Sequence, residues 1–113
     1  MRDTARRRTG PARHELAALD EAGLAAARHA DRLLAAATTL GFERWERFLA
    51  PLPDLLRDGD VRELRAAAVR SRAAFGPKDS VRDVLPAEVT EPFLESVDRL
   101  LRLLAKRDTS ADR

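Results

Sequence analysis

Two histidines, His14 and His29, are the side chains best suited to acid–base or metal chemistry in this sequence. Neither of them lies three or four residues from a second ligand in a pattern such as H-E-x-x-H, which would place two ligands on one helix face. The absence of cysteine excludes disulfides, thiolate nucleophiles and cysteine-ligated metals. We therefore predict no metal ion and no catalytic histidine; an activity lost on substitution of His29 would reopen the question.

Asp58 and Asp60 are a pair of carboxylates with the spacing to act as acid and base. They flank Gly59, and Glu63 follows Asp60 by three residues, which is the acidic form of a helix capping box. Capping and the helix dipole favour carboxylates at such a position without any catalytic role. The chain also lacks G-x-S-x-G, Walker and G-x-G-x-x-G motifs. We predict a protein that is not an enzyme, with no catalytic residue, no cofactor and no small-molecule ligand.

Basic residues are concentrated at the start of the chain. Residues 1–13 hold five arginines against Asp3, a net charge of +4, whereas the whole chain carries +2. The rest of the chain is therefore slightly acidic. An arginine-rich segment of this size binds phosphates weakly and with strong salt dependence. The candidate anion-binding residues are Arg2, Arg6, Arg7 and Arg8.

Hydrophobic spacing predicts an all-α domain of four helices. The first helix covers residues 13–40 and ends at Gly41. A short second helix begins at Phe42 and is interrupted by Pro51 and Pro53, because proline lacks the amide donor. The third helix starts after the Asp60 cap and covers residues 61–75. The fourth is capped by Thr90, accepts Pro92 in its first turn and has the strongest amphipathic pattern.

The predicted organisation is a single four-helix bundle over residues 13–107. A disordered basic arm, residues 1–12, precedes it, and a disordered tail, residues 108–113, follows it. Residues 76–90 are predicted to be an ordered connection with one helical turn. No apolar run approaches the roughly 18 residues of a membrane span, and no apolar signal-peptide core follows the basic residues. We predict a cytoplasmic protein without membrane insertion.

Three large apolar residues are candidates for contact with a protein partner: Leu24, Trp45 and Leu103. Leu24 and Leu103 lie outside the main apolar faces of their helices, so each is either a lone surface residue or part of a second contact. Trp45 falls between Phe42 and Phe48 on one helical face. Such an aromatic stripe is usually core, and its alternative use is as an interface anchor.

The segment from Trp45 to Leu104 carries a familiar order of elements. A tryptophan helix is followed by Gly59-Asp60, by Leu64-Arg65 with alanines, by Gly76-Pro77 and by a terminal helix containing Val97-Asp98-Arg99-Leu100-Leu101. This order resembles the CATRA-associated small proteins of bacterial conflict systems, and the likeness covers about half of the chain. The resemblance implies a non-enzymatic accessory component and transfers no catalytic residue.

Two functions follow from these observations as hypotheses. The first is a protein-interaction module, a small accessory component of a bacterial conflict or signalling system that binds another protein or itself. The alternative is a nucleic-acid-binding accessory protein that uses the arginine-rich arm. Arg62, Arg65 and Arg72 form a partial stripe on the third helix, but with no exposed aromatic residues among them we predict a solvated charged face.

Overall fold

The computed structural model describes residues 13–111, with Glu15 and residues 109–111 described by their backbone only. All regular elements in this range are helical, which confirms the predicted all-α class. The four predicted helical segments are present, and the second is divided in two. The α-helices are α1 (Ala17–Leu40), α2 (Glu43–Leu49), α3 (Leu52–Asp58), α4 (Val61–Ala73) and α5 (Ala87–Ala111), with 3-10 turns at Arg13–Glu15 and Val81–Asp83.

The predicted end of α1 and the predicted start of α4 are confirmed by their caps. Gly41 adopts the left-handed conformation with φ 78°, where a side chain is disfavoured, and closes α1. At the start of α4, the Glu63 N–H donates to the Asp60 carboxylate at 2.8 Å. The Asp60 N–H donates in turn to the Glu63 carboxylate at 2.9 Å. The capping box therefore forms in full, and both carboxylates have a structural role.

The break between α2 and α3 has the cause that the prolines predict. Pro51 has no N–H to extend the hydrogen-bond ladder of α2, so that helix ends at Leu49. Pro53 lies in the first turn of α3, where a missing amide donor costs nothing. The chain thus turns between two helices of about two turns each, and both face α1.

The last helix starts earlier than predicted and continues into the predicted tail. Helix α5 begins at Ala87 rather than after Thr90, because the carbonyl of Pro86 accepts from the N–H groups of Val89 and Thr90 at 3.1 and 3.0 Å. Thr90 is consequently buried inside the helix. The helix then continues through Ala111, and Asp108 pairs with Arg65 of α4 at 2.6 Å. Order therefore extends beyond residue 107, into the predicted tail. The predicted disorder of residues 1–12 lies outside the described residues.

The core lies where α1 meets α5. This pair makes the most extensive contact in the fold, α1 also packs on α2 and α3, and α4 packs on α3 and α5. Alanines on the inner face of α1 allow the neighbouring helices to approach closely, and leucines from the other helices fill the space. The largest fully buried side chains include Leu33, Leu49, Leu52, Leu56, Leu64, Phe93, Val97, Leu100 and Leu104.

The connection between α4 and α5 is ordered and contains one helical turn, as predicted. Ser80 and Asp83 form a second capping box around the turn. Val81 is fully buried, and its N–H donates to the carbonyl of Ala74 at 2.9 Å. The connection is therefore held to the core by an apolar side chain and a backbone hydrogen bond.

Candidate functional site

An apolar groove lies on the surface between the start of α1 and the end of α5. We call it the α1/α5 groove; it has a volume of about 310 Å³ and is open to solvent. One wall includes Leu103, which the sequence analysis selected as a partner-binding candidate. The lining residues are Leu16, Ala17, Ala18, Leu19, Leu103, Lys106 and Arg107.

The groove exists because two alanines of α1, Ala17 and Ala18, face Leu103 of α5, which lies outside the main apolar face of its helix. Ala17 and Ala18 are exposed and too short to fill the space beside α5. Leu16 and Leu103 are half-buried, whereas Leu19 belongs to the core at 5% exposure. The floor is thus anchored in the core while its sides are accessible, the usual form of a concave binding site.

Arg13 holds the turn that precedes Leu16, the first residue of the groove. This side chain is buried, and its guanidinium donates to the backbone carbonyls of Leu56, at 2.5 Å, and Gly59, at 2.9 Å. Its Nε lies 2.9 Å from the carboxylate of Asp20, an ion pair without hydrogen-bond geometry. The carbonyls at the end of α3 have no N–H group further along the helix to donate to them. The Arg13 guanidinium supplies the missing donors, and its positive charge is favourable at a helix C-terminus. Leu16 follows this fixed turn and donates its N–H to the Arg13 carbonyl at 2.9 Å.

Burial of Arg13 changes the charge balance derived from the sequence. That count placed Arg13 with the basic arm, but the structure places it inside the fold at 8% exposure. The segment before it, residues 1–12, therefore carries four arginines against Asp3, a net charge of +3. The residues predicted to bind anions, Arg2, Arg6, Arg7 and Arg8, lie outside the described residues.

The rim of the groove is basic. Lys106 is exposed, and among the described residues no ion pair involves it. Arg107 lies 3.9 Å from Asp108, whose carboxylate is shared with Arg65 at 2.6 Å. The acidic partner of Arg107 is thus already bound more closely by another cation, which leaves a positive edge beside an apolar floor.

The structure does not bring the three predicted partner-binding residues together. Leu24 is 36% exposed and is not part of the groove. Trp45 is 8% exposed. The ring of Phe48 meets the Trp45 ring edge-on, with 5.5 Å between the ring centres. The guanidinium of Arg44 lies 5.4 Å from the centre of the Trp45 ring. Trp45 therefore offers little of the exposed area of an interface anchor. Of the three, Leu103 is the one that lines the α1/α5 groove.

His29 lines a second, more polar depression between α1 and α5. Its neighbours there include Glu95, Ser96 and Arg102. Burial lowers the pKa of His29 from its ordinary value of 6.5, the nearby charges of Arg32 and Arg28 lower it further, and Glu95 opposes them. The lowered pKa of His29 favours its neutral imidazole form.

The remaining candidates for chemistry are dispersed in the described part of the chain. His14 is exposed on the first 3-10 turn, and Asp58 is exposed at the end of α3. Among the side chains that the structure describes, no three His, Asp or Glu residues approach closely enough to share a metal ion. Asp60 and Glu63 are committed to the capping box. These capping hydrogen bonds stabilise the start of α4.

The predicted arginine stripe on α4 faces acidic residues of α5 rather than solvent alone. Arg65 pairs with Asp108 at 2.6 Å, and Arg72 pairs with Asp98 at 3.1 Å. Arg70 packs over the ring of Phe48 at 4.4 Å. The two ion pairs offset the charges of Arg65 and Arg72, which a phosphate backbone would otherwise attract.

No protein-family model, curated protein sequence or solved structure matches this chain. The likeness to the CATRA-associated small proteins stays a prediction. Within the described residues, none of the helices combines the length and the apolar character of a membrane span.

Proposed function

We propose that this chain is a non-enzymatic protein-interaction module, a small accessory component of a bacterial conflict or signalling system. Its partner binds in the α1/α5 groove. The observation that supports this proposal is the groove itself, an apolar concavity that ends in a basic rim and is held in shape by the buried Arg13. The family resemblance described above supports the accessory role.

The groove has the features of a protein-binding surface. Leu16 and Leu103 are already half-buried in the free chain, so their side chains lose little conformational freedom when a partner covers them. Apolar area at the centre with charged residues at the edge is the common layout of interfaces. A partner side chain that enters the groove displaces water from Ala17 and Ala18 as well as from the leucines.

The proposal is tested by site-specific crosslinking in the native host. A photoreactive amino acid replaces Leu103 in one strain and Val69, 57% exposed on α4, in a control strain. We expect one protein to be crosslinked at position 103 and not at position 69, and mass spectrometry identifies it. Absence of a crosslink at position 103, or the same products at both positions, would contradict the proposal.

The arginine-rich arm supports the alternative function, a nucleic-acid-binding accessory protein. The four arginines of residues 1–12 are the observation in its favour. DNA and RNA binding are measured at two salt concentrations for the full chain and for a chain lacking residues 1–12. Binding that falls steeply with salt and disappears with the arm supports this alternative. Binding that is absent, or that is unchanged by the deletion, contradicts it.

A further inference from the structure

We propose that a small hydroxylated phosphomonoester, such as a pentose phosphate, binds in the polar depression between α1 and α5. We call this surface the His29 depression; its polar lining comprises His29, Glu95, Ser96, Asp98, Arg99 and Arg102. Its volume of about 510 Å³ lies within the ordinary range for small-ligand sites. It shares no lining residue with the α1/α5 groove, so the site is additional to the proposed protein-interaction function and does not depend on it.

The hydrogen-bond donors of the His29 depression lie at one end. Arg99 and Arg102 are three residues apart on α5, so both side chains project from the same face of the helix. Arg99 has a loose ion pair with Glu21, which is 3.8 Å away and 75% exposed. Arg102 is exposed and has no ion pair among the described side chains. Both guanidinium groups are thus available, and paired guanidinium donors suit the oxygens of a phosphate group.

The hydrogen-bond acceptors lie at the other end. Glu95 is exposed and has no ion pair in the described part of the chain. The Ser96 hydroxyl donates its proton to the carbonyl of Phe93 at 2.9 Å, which leaves its oxygen as an acceptor. Glu95 and Arg102 are two turns apart on α5, about 10 Å along the helix axis. A ligand that joins hydroxyl groups to a phosphate over this distance matches both ends of the depression.

The second carboxylate of the His29 depression does not oppose an anion strongly. Asp98 pairs with Arg72 of α4 at 3.1 Å. Its negative charge is therefore offset by a cation that does not line the depression. Glu95 is left as the carboxylate of the lining that a ligand can reach without breaking an ion pair.

The surrounding charge favours an anion and opposes an ammonium group. Arg28 and Arg32 flank His29 on α1, and neither has an ion pair among the described side chains. Burial has the largest effect in lowering the pKa of His29, followed by Arg32 and Arg28, and each arginine outweighs the opposing effect of Glu95. An ammonium group of a ligand would meet the same positive charges as a protonated His29. The Glu95 end therefore suits hydroxyl groups better than an amine.

The test compares three ligands of the full-length chain: ribose 5-phosphate, inorganic phosphate and ribose. NMR spectra at constant ionic strength follow the imidazole signals of the two histidines, and the shift of the His29 signal gives each dissociation constant. We expect ribose 5-phosphate to bind about fivefold more tightly than phosphate, since one net hydrogen bond has about this effect. Ribose alone should cause no shift. His14, exposed on the first 3-10 turn, is the internal reference and should not respond.

The pKa of His29 is a second readout of the same spectra. The charged groups that face His29 in the described part of the chain are Arg28 and Arg32 on α1, and Glu95, Asp98, Arg99 and Arg102 on α5. A phosphate group held by the two α5 arginines adds negative charge that offsets the arginines of α1. We therefore expect saturation with ribose 5-phosphate to raise the pKa of His29 and to leave that of His14 unchanged.

Two variants with the same change of charge locate the phosphate. Arg102→Gln and Arg62→Gln each remove one positive charge from an exposed helical position, the first on α5 and the second on α4. Arg102→Gln should weaken ribose 5-phosphate about tenfold, because a charge-assisted hydrogen bond is lost. Arg62→Gln should have little effect. Far-ultraviolet circular dichroism verifies that both variants are folded.

Glu95→Ala tests the hydroxyl contact separately. The change removes an acceptor and also a negative charge near the phosphate. We expect inorganic phosphate to bind more tightly to this variant than to wild type, because a repulsion is removed. The preference for ribose 5-phosphate over phosphate should disappear, because its hydroxyl groups lose their acceptor.

Several results would overturn the site, and none of them bears on the crosslink at position 103. Failure of ribose 5-phosphate to bind at millimolar concentration would do so, as would equal shifts at His14 and His29 or equal losses in Arg102→Gln and Arg62→Gln. Equal affinities of wild type for phosphate and ribose 5-phosphate would overturn the assignment of a hydroxylated ligand. A failed crosslink at position 103 together with the expected ribose 5-phosphate binding would contradict the proposed function alone.

Discussion

The guanidinium group of Arg13 occupies the space that a side chain at Gly23 would require. Gly23 lies inside α1, and its open face lets Arg13 reach the last carbonyls of α3. A glycine normally weakens a helix interior by about 1 kcal/mol relative to alanine. Here it permits a buried cation to join the first turn of the domain to the end of α3.

Gly23→Ala should destabilise the protein although alanine favours helix. The new methyl group would collide with the Arg13 guanidinium and lie 3.0 Å from the carbonyl oxygen of Leu56. Overpacking of this kind costs about 1–3 kcal/mol. We expect the free energy of unfolding in urea to fall by about 1 kcal/mol or more, and by less in an Arg13→Ala background. Gly76→Ala is the control, since its nearest contact is an ordinary 3.5 Å; equal effects at both glycines would contradict the steric explanation.

Replacement of Arg13 should reveal the hydrogen bonds to α3. Arg13→Met keeps an unbranched apolar stem and leaves the buried carbonyls of Leu56 and Gly59 without their donor. We expect a loss of about 2–3 kcal/mol in denaturant unfolding, because buried unsatisfied groups and lost charged hydrogen bonds each cost that order. Arg13→Lys should lose less, and Arg28→Met, at an exposed position, should lose little. A loss as small at residue 13 as at residue 28 would contradict this role.

The two aspartates around Gly59 should differ in their effect on stability. Asp60→Ala removes the acceptor for the Glu63 N–H and should cost about 1 kcal/mol, within the usual range for a helix cap. Asp58→Ala changes an exposed side chain and should stay within about 0.5 kcal/mol. Thermal and urea unfolding of the two variants are compared. If Asp58→Ala is the more costly change, the capping assignment is wrong.

Protonation of His29 should reduce stability below neutral pH. Its pKa is lowered in the fold, chiefly by burial and then by Arg32 and Arg28, so the unfolded chain binds the proton more readily. The penalty begins as pH falls through the ordinary value of 6.5 and is complete below the folded-state pKa. Unfolding midpoints at pH 7.5 and 5.5 should therefore differ less for His29→Gln than for wild type. His14→Gln, at an exposed position, should behave as wild type.

The sequence predicted correctly those helix ends that are set by neighbouring residues. The Asp60–Glu63 capping box, the Gly41 cap and the proline break before α3 each depend on residues within one turn. The start of α5 escaped prediction because Thr90 and Pro92 form a convincing cap signal, whereas the carbonyl of Pro86 accepts the first helical hydrogen bonds four residues earlier. Tertiary burial of Thr90 then overrides its preference for a helix terminus.

The groove was predictable only through Leu103. An apolar residue outside the main face of α5 is visible in the sequence, but the partners that make it concave, Leu16 and Ala17, are more than eighty residues away. Arg13 was missed for the same reason, since its acceptors are 43 and 46 residues distant. The one local hint was a glycine on the apolar face of a long helix, at residue 23.

The close packing of α1 against α5 also determines when the domain is able to fold during synthesis. The ribosome adds about 70 residues between the end of α1 and the end of α5, which takes about 4–14 s at ordinary elongation rates. Throughout that interval, of the helices that pack against the inner face of α1, only the small helices α2 and α3 are available to cover it. The nascent chain therefore carries an incompletely covered apolar helix until its last segment emerges, and completion of the core is a late, long-range step.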